Sequence, residues 1–286
     1  MKNNLSFVSG ISRDPLLFQT VGQVLESTAE RYTDQEAIVC SHQNVRYTYG
    51  ELNEKANRIA SGLHALGLRK GDRVGIWSPN CVEWVLTQFA TAKIGLILVN
   101  INPAYRSGEL EYALNQVSCK ALVTAKSFKT SNYIKIIQEL APELIDSIPN
   151  ELECKKLPTL RLVISIADEK INGMMNFSEL EIVGNTGKHD NVFQIGKQLD
   201  PDEAINIQFT SGTTGLPKGA TLSHFNIVNN AYFVGKAMKF SAIDRLCIPV
   251  PLYHCFGMVM GVLTCATHGA TMVFPSEGFE PLATLK

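Results

Sequence analysis

The sequence predicts an α/β protein of two βα-alternating lobes, the second of them truncated. Three observations carry that prediction. From residue 20 to about residue 124, short apolar runs alternate with segments whose apolar residues recur at helical spacing. Strands separated by helices of this length imply a parallel sheet with helices on its faces. The alternation blurs between Pro142 and Pro158, passes a Gly-, Asn-, Lys- and Gln-rich stretch at 184–200 that reads as a linker, and resumes from Ile205. The expected division is therefore a first lobe over 1–190 and a second over 191–286.

Each element has its own warrant. After a loop holding Pro15, Thr20 and Gln23 have capping-box spacing, and Val21, Val24, Leu25, Ala29 and Tyr32 predict a helix. Residues 36–40 and 44–49 read as two short strands around the polar turn Ser41-His42-Gln43-Asn44. Thr48 and Glu51 repeat the capping-box spacing before the stripe Leu52, Ala56, Ile59, Ala60, Leu63 and Leu66, which Gly67 ends. Arg73–Trp77 predicts a buried strand, 81–93 a helix, and 96–99 a strand after the break at Gly95. A helix near 108–117 and strands at 120–124 and 160–166 complete the first lobe. The second lobe has a strand at 205–209, a helix over 224–238 capped by Ser223, and a strand at 245–250. A helix over 256–267 and a strand at 270–274 follow. Trp77 and Trp84 fall on the apolar positions of their elements and are expected in the core.

The last residues, Glu280-Pro281-Leu282-Ala283-Thr284-Leu285-Lys286, hold a proline at a helix start and leucines at i and i+3. An isolated helix is marginal below about 12–15 residues. The second lobe is left with few strands against the usual ~4–6 of a sheet. The chain reads as the front part of something longer.

Composition narrows the partners. Hydrophobic residues make up 45% of the 286 and charged residues 19%, as in ordinary globular chains. A formal charge of −1 lacks the basic footprint of a nucleic-acid binder, so no nucleic-acid partner is expected. The longest apolar stretch, Cys255 to Thr267, falls short of the about 20 residues a bilayer demands, so no transmembrane segment is expected. Seven cysteines, widely spaced and without a Cys-x-x-Cys pair, fit neither a disulfide framework nor a zinc knuckle and indicate a reducing compartment. Cys247, His254, Cys255, Cys265 and His268 crowd one region, but their spacing matches no ligand signature, and no metal site is expected. The first ten residues show neither a signal peptide nor an Arg-rich transit helix.

The chemistry concentrates in Phe209-Thr210-Ser211-Gly212-Thr213-Thr214-Gly215-Leu216-Pro217-Lys218-Gly219. Four hydroxyl side chains, three glycines and one lysine fall within eleven residues, directly after the alternation Ile205-Asn206-Ile207-Gln208-Phe209. Hydroxyls and bare N–H groups donate hydrogen bonds, glycine admits close backbone approach, and lysine adds a point charge. That inventory suits a polyphosphate. Pro217 stands where a Walker loop needs its second glycine, so the common nucleoside-triphosphatase reading fails on spacing. A surface turn would use many of the same residue types.

Thr210–Gly219 resembles the phosphate-binding signature of the acyl-adenylate-forming superfamily, which holds acyl-CoA synthetases, luciferases and peptide-synthetase adenylation domains. Tyr47-Thr48-Tyr49-Gly50-Glu51-Leu52 resembles the superfamily's early aromatic-Thr-Tyr-x-Glu-Leu element. Val99-Asn100-Ile101-Asn102-Pro103-Ala104-Tyr105 resembles the segment after its second helix–strand unit. Pro251-Leu252-Tyr253-His254-Cys255-Phe256-Gly257 resembles the histidine-containing pocket motif of the acyl-CoA synthetases, and the medium-chain fatty acyl-CoA ligases are the nearest branch. The resemblance covers the chain from about Thr20.

The resemblance implies the N-terminal domain of an acyl-adenylate-forming enzyme, its second lobe incomplete and its C-terminal catalytic domain absent. It implies activation of a medium-chain fatty acid with ATP and Mg2+ through acyl-AMP, then transfer to coenzyme A. Thr210, Ser211, Gly212, Thr213, Thr214, Gly215, Leu216, Pro217 and Lys218 would hold the ATP phosphates, with Lys218 also stabilising the departing pyrophosphate. His254 would position the acyl carboxylate; a histidine beside an apolar helix is otherwise a structural residue. The helix over 256–267 is core, or with Gly257, Gly261 and its methionines it walls an acyl tunnel. The adenine, ribose and metal ligands of the superfamily correspond to positions beyond Lys286. A mitochondrial matrix location is implied by the resemblance, and a cytoplasmic one otherwise. Two other readings stay open: a truncated isoform inactive alone, and an unrelated phosphate-binding module.

Overall fold

The computed structural model describes residues 14–185, 190–210 and 216–285. The capping boxes at Thr20 and Thr48 start helices α1 (Val21–Arg31) and α2 (Tyr49–Ala65), which bracket strands β1 (Glu36–Cys40) and β2 (Val45–Thr48). Then come β3 (Arg73–Trp77), α3 (Val82–Lys93), β4 (Ile97–Asn100), α4 (Ser107–Gln116) and β5 (Cys119–Thr124). A small hairpin of β6 (Ser127–Phe128) and β7 (Ser131–Asn132) leads into α5 (Tyr133–Leu140). Strands β8 (Leu162–Ser165) and β9 (Met175–Asn176) precede α6 (Phe177–Asn185) and α7 (Asp190–Lys197). The hairpin β10 (Ala204–Thr210) and β11 (Lys218–Ser223) feeds α8 (His224–Ala237), whose Ser223 forms a third capping box with Asn226. After β12 (Arg245–Cys247) the chain forms a π-helix over Phe256–Leu263, then α9 (Thr264–His268), β13 (Thr271–Phe274) and α10 (Pro281–Leu285).

Two sheets organise these elements. The larger has the order β11-β10-β4-β3-β5-β8-β9, parallel throughout except for the β10–β11 pair. The smaller has the order β12-β13-β1-β2, with only the β1–β2 pair antiparallel. Strand membership crosses residue 190 in both directions: β1 and β2 join the later strands β12 and β13, while β10 and β11 join the earlier sheet. The strands are therefore not shared out as 1–190 and 191–286. Residues 190–197, expected within a linker, form a helix because Val192 and Ile195 pack on the core. The strand expected over 245–250 stops at Cys247, before Pro249 and Pro251, neither of which has an N–H for a ladder.

One core lies on the face of the large sheet shared with α1, α2, α3, α8, the π-helix and the small sheet, and it contains Trp84. The other lies under α4 and α5, where Trp77 stacks on Tyr133 at 3.9 Å between ring centroids. Two buried ties join distant stretches. The Tyr49 hydroxyl lies 2.6 Å from the Ala270 carbonyl and 3.0 Å from that of Cys265, anchoring α2 to the turn before β13. His224 Nδ1 accepts the Val21 N–H at 3.0 Å, joining α8 to the first turn of α1. No helix among the described residues is long and apolar enough to cross a membrane.

Burial pushes the His224 imidazole down to about 4 from its ordinary 6.5. The unfolded chain therefore binds this proton at a higher pH than the folded chain does. The stability that neutral His224 secures is complete above pH 6.5 and is lost as the pH falls toward about 4. Unfolding free energies from urea titrations across that window should fall with acidification by up to about 1.4 kcal/mol per pH unit from this group. His224→Asn, which keeps an acceptor for Val21 without titrating, should flatten the slope; an unchanged slope contradicts the assignment.

Candidate active site at the carboxyl edge of the large sheet

The site begins with strand order. The chain runs from β3 to β4 on one side and then returns to place β5 on the other side of β3. In open α/β sheets the crevice outside the carboxyl ends of the strands at such a switch is where ligands bind. Here a cavity of about 270 Å³ occupies it, lined by residues that follow β3 (Ser78, Asn80), β4 (Asn102, Arg106) and β5 (Lys129), with Tyr253.

Because β10 is parallel to β4, its end at Thr210 opens onto the same edge. Thr210 and Lys218 are cross-strand partners, and the Thr210 hydroxyl donates to the Lys218 carbonyl at 3.5 Å. Lys218 and Leu216 are exposed, so the lysine charge and the returning arm face solvent. The arm is pinned on its far side by Tyr112 of α4, whose hydroxyl donates to the Pro217 carbonyl at 3.1 Å. Ser211, Gly212, Thr213, Thr214 and Gly215 lie outside the described residues.

His254 stands on the turn that enters the π-helix and is exposed. Its Nδ1 accepts the Phe256 N–H at 3.0 Å. In the neutral ring that leaves the proton on Nε2, which is thus a hydrogen-bond donor. The turn is packed tightly: a Cβ on Gly257 would lie 2.4 Å from the Pro251 carbonyl oxygen. Gly261 likewise lies against Ile248, and Met258 is buried, so these residues serve packing of the π-helix on 248–252. A π-helix is uncommon and concentrates at functional sites; here its wide turn brings Met258 under β4 and β10.

Buried amides not assigned any role by the motifs hold these parts in register. Asn80 accepts the Leu252 N–H on Oδ1 at 2.8 Å and donates from Nδ2 to the Val250 carbonyl at 2.9 Å. Its own N–H donates to the Glu277 carbonyl at 2.9 Å, tying in the loop after β13. Asn100 Nδ2 donates to the Tyr253 carbonyl at 3.1 Å and to Met258 Sδ at 3.2 Å. Asn206 Nδ2 donates to Asn100 Oδ1 at 2.9 Å and to the Leu98 carbonyl at 3.0 Å. Gln208 Nε2 donates to Asn206 Oδ1 at 2.8 Å and to Met258 Sδ at 3.1 Å. The signal available in the sequence was the pair Asn206 and Gln208 inside a central strand, where parallel strands usually run apolar on both faces.

The Cys/His-rich stretch resolves into packing. The Cys265 thiol is buried beside the Thr271 carbonyl, and His268 stacks on Tyr232. Burial pushes the Cys255 thiol up. Among the described residues, no three His, Cys, Asp or Glu side chains converge as metal ligands would.

A doubly wound sheet with a hydroxyl-, glycine- and lysine-bearing hairpin at its carboxyl edge is the architecture of a nucleotide-binding enzyme domain. The chain matches the AMP-binding enzyme family over residues 25–285, and it belongs to that family. It is 46% identical over 283 residues to the medium-chain acyl-CoA ligase ACSF2, mitochondrial, of Danio rerio, spanning 98% of this chain and 46% of that protein. It is 42% identical over 271 residues to the putative acyl-CoA synthetase YngI of Bacillus subtilis (strain 168), spanning 95% of this chain and 49% of the relative. The chain thus spans about half the length of the curated relatives it matches. The apo structure of Mycobacterium smegmatis MbtA superposes with a TM-score of 0.78 at 26% identity, covering 94% of this chain and 46% of that one. These matches bear out the α/β adenylate-forming fold that the motifs implied.

Replacing Asn80 by leucine strands the Leu252 N–H and the Val250 carbonyl, each worth about 1–3 kcal/mol when buried without a partner. Asn80→Leu should therefore lower the unfolding free energy by about 2–6 kcal/mol in urea titration. A loss below about 0.5 kcal/mol, the size of an ordinary surface change, contradicts the clamp.

Proposed function

We propose that this chain carries the polyphosphate-holding part of an acid–thiol ligase that converts a medium-chain fatty acid through acyl-AMP to acyl-CoA. The observation that carries the proposal is the placement of Thr210 and Lys218 at the carboxyl edge of the sheet, on a hairpin beside the switch-point crevice. The relatives named as medium-chain acyl-CoA ligases support the reaction class and the acid. Their mitochondrial naming supports a matrix location.

In the first step a carboxylate oxygen attacks the α-phosphorus of ATP, and the bond to the β-phosphate bridging oxygen breaks as pyrophosphate leaves. Negative charge grows on the leaving group. In this reading Lys218 and Thr210, with the Ser211, Thr213 and Thr214 hydroxyls that the motif supplies, stabilise it. His254, with Nδ1 already engaged by Phe256, offers Nε2–H to the acid carboxylate. In the second step the coenzyme A thiol attacks the acyl carbonyl carbon, AMP departs, and the thiol proton goes to solvent. Mg2+ neutralises triphosphate oxygens when bound. The hairpin's donor set, hydroxyls and one lysine, suits phosphate oxygens and not a metal cage.

The test is decanoate-dependent exchange of labelled pyrophosphate into ATP. It is measured on this chain and on a fusion that appends the part of the Danio rerio relative that this chain does not match. Exchange in the fusion is expected, and Lys218→Ala should reduce it about 10- to 100-fold, the value of one hydrogen bond to a charged group. Unchanged exchange in that variant contradicts the role of Lys218. Acid-independent ATP hydrolysis as the sole activity favours an unrelated phosphate-binding module.

A further inference from the structure

Asn100, Asn206 and Gln208 are buried amides on two adjacent strands, where Asn206 faces Leu98 and Gln208 faces Asn100. Their hydrogen bonds form one chain, from Gln208 to Asn206 to Asn100 and on to the Tyr253 carbonyl. One end lies two residues before Thr210, on the same face of β10 by the twofold period of a strand. The other end lies one residue before His254. Met258 Sδ, on the π-helix, receives hydrogen bonds from both Asn100 and Gln208 and closes the chain into a ring.

Ordinary stabilisation does not account for this arrangement. Apolar side chains would fill the same space without the cost of burying three primary amides, and a partly satisfied buried network is worse than none. What amides provide and apolar groups do not is a fixed direction and distance between the groups they join. Flipping or shifting any one amide breaks a bond at each end, so the end of β10 and the turn before His254 are tied to one another.

We propose that Gln208, Asn206 and Asn100 are positioning residues that set the His254 turn against the phosphate hairpin, so that polyphosphate at the hairpin is felt at His254. The proposal rests on the reading of the hairpin as a polyphosphate site. Its occupant here is the triphosphate or pyrophosphate moiety, and its consequence is that the acid and nucleotide sites are coupled.

The 286-residue chain itself serves for the test, with inorganic tripolyphosphate as probe. The first readout needs no ligand: deuterium exchange at the Phe256, Gly257 and Met258 N–H groups, all bonded to His254. In Asn206→Leu these should exchange about tenfold faster, the factor of one lost hydrogen bond, while the Val74 and Ile76 amides of β3 keep their wild-type protection. The second readout is the His254 ring Cε1–H signal in NMR. In the wild type it should shift as tripolyphosphate is added, together with the Phe209 amide. In Asn206→Leu the Phe209 amide should still shift and the His254 signal should not.

If Asn206→Leu fails to fold, the triple variant Asn100→Leu/Asn206→Leu/Gln208→Leu removes the three amides together and should restore stability without restoring the His254 response. Wild-type exchange rates at 256–258 in a folded variant overturn the proposal, as does a His254 shift that persists in the variant. A Phe209 shift without a His254 shift in the wild type overturns it too. If tripolyphosphate moves neither signal in the wild type, the polyphosphate reading of the hairpin fails and the coupling proposal falls with it. The exchange readout then decides the structural link alone.

Discussion

The pairing of β10 with β4 is the constraint on which the candidate site depends. It sets Asn206 against Leu98, Ile207 against Val99 and Gln208 against Asn100, joining stretches about a hundred residues apart in the chain. Parallel pairing sends the end of β10 to the same edge as the loops after β3, β4 and β5. The hairpin bearing Thr210 and Lys218 can sit beside the crevice only because of that direction. The register protects itself. A slip by one residue would turn Asn206 and Gln208 into the core under α4, where Ile207 now packs among Leu110, Leu114 and Val99. Two amides would lose their partners there, and an isoleucine would replace them in a polar ring.

Polar groups in the interior have a consistent use in this protein. Asn80 holds the bend at 250–252, Asn100 holds Tyr253, Tyr49 holds the turn before β13, and His224 holds the start of α1. Each joins a side chain to a backbone group far away in sequence, at a place where regular ladders do not reach. The apolar cores supply most of the driving force for folding, but they are tolerant of small displacements. The directed bonds reduce that tolerance around the crevice, where loops from different parts of the chain are held together.

Local chemistry was readable from the sequence, and long-range choices were not. The capping boxes at Thr20 and Thr48 and the cap at Ser223 are contained within four residues each, and each helix starts where its cap stands. Which sheet a strand joins is a different kind of question. Nothing within 36–48 or 204–223 distinguishes the partners available, so the exchange of strands across residue 190 was hidden. Composition misled at 190–197, where polar residues outnumber Val192 and Ile195 although those two side chains anchor a helix. Helical periodicity located the apolar segment from 256 but did not separate a π-helix from an α-helix. The stretch from Thr210 to Gly219 was visible as a motif; the amides behind it were visible only as an oddity in a strand, because a buried asparagine declares its role through partners elsewhere.

The most direct test of the account is a crystal structure of this chain with ATP bound. The triphosphate should lie along the hairpin between Thr210 and Lys218, with Lys218 Nζ in contact with a phosphate oxygen. A triphosphate held instead by Arg106 and Lys129 at the crevice, with the hairpin bare, would contradict the account.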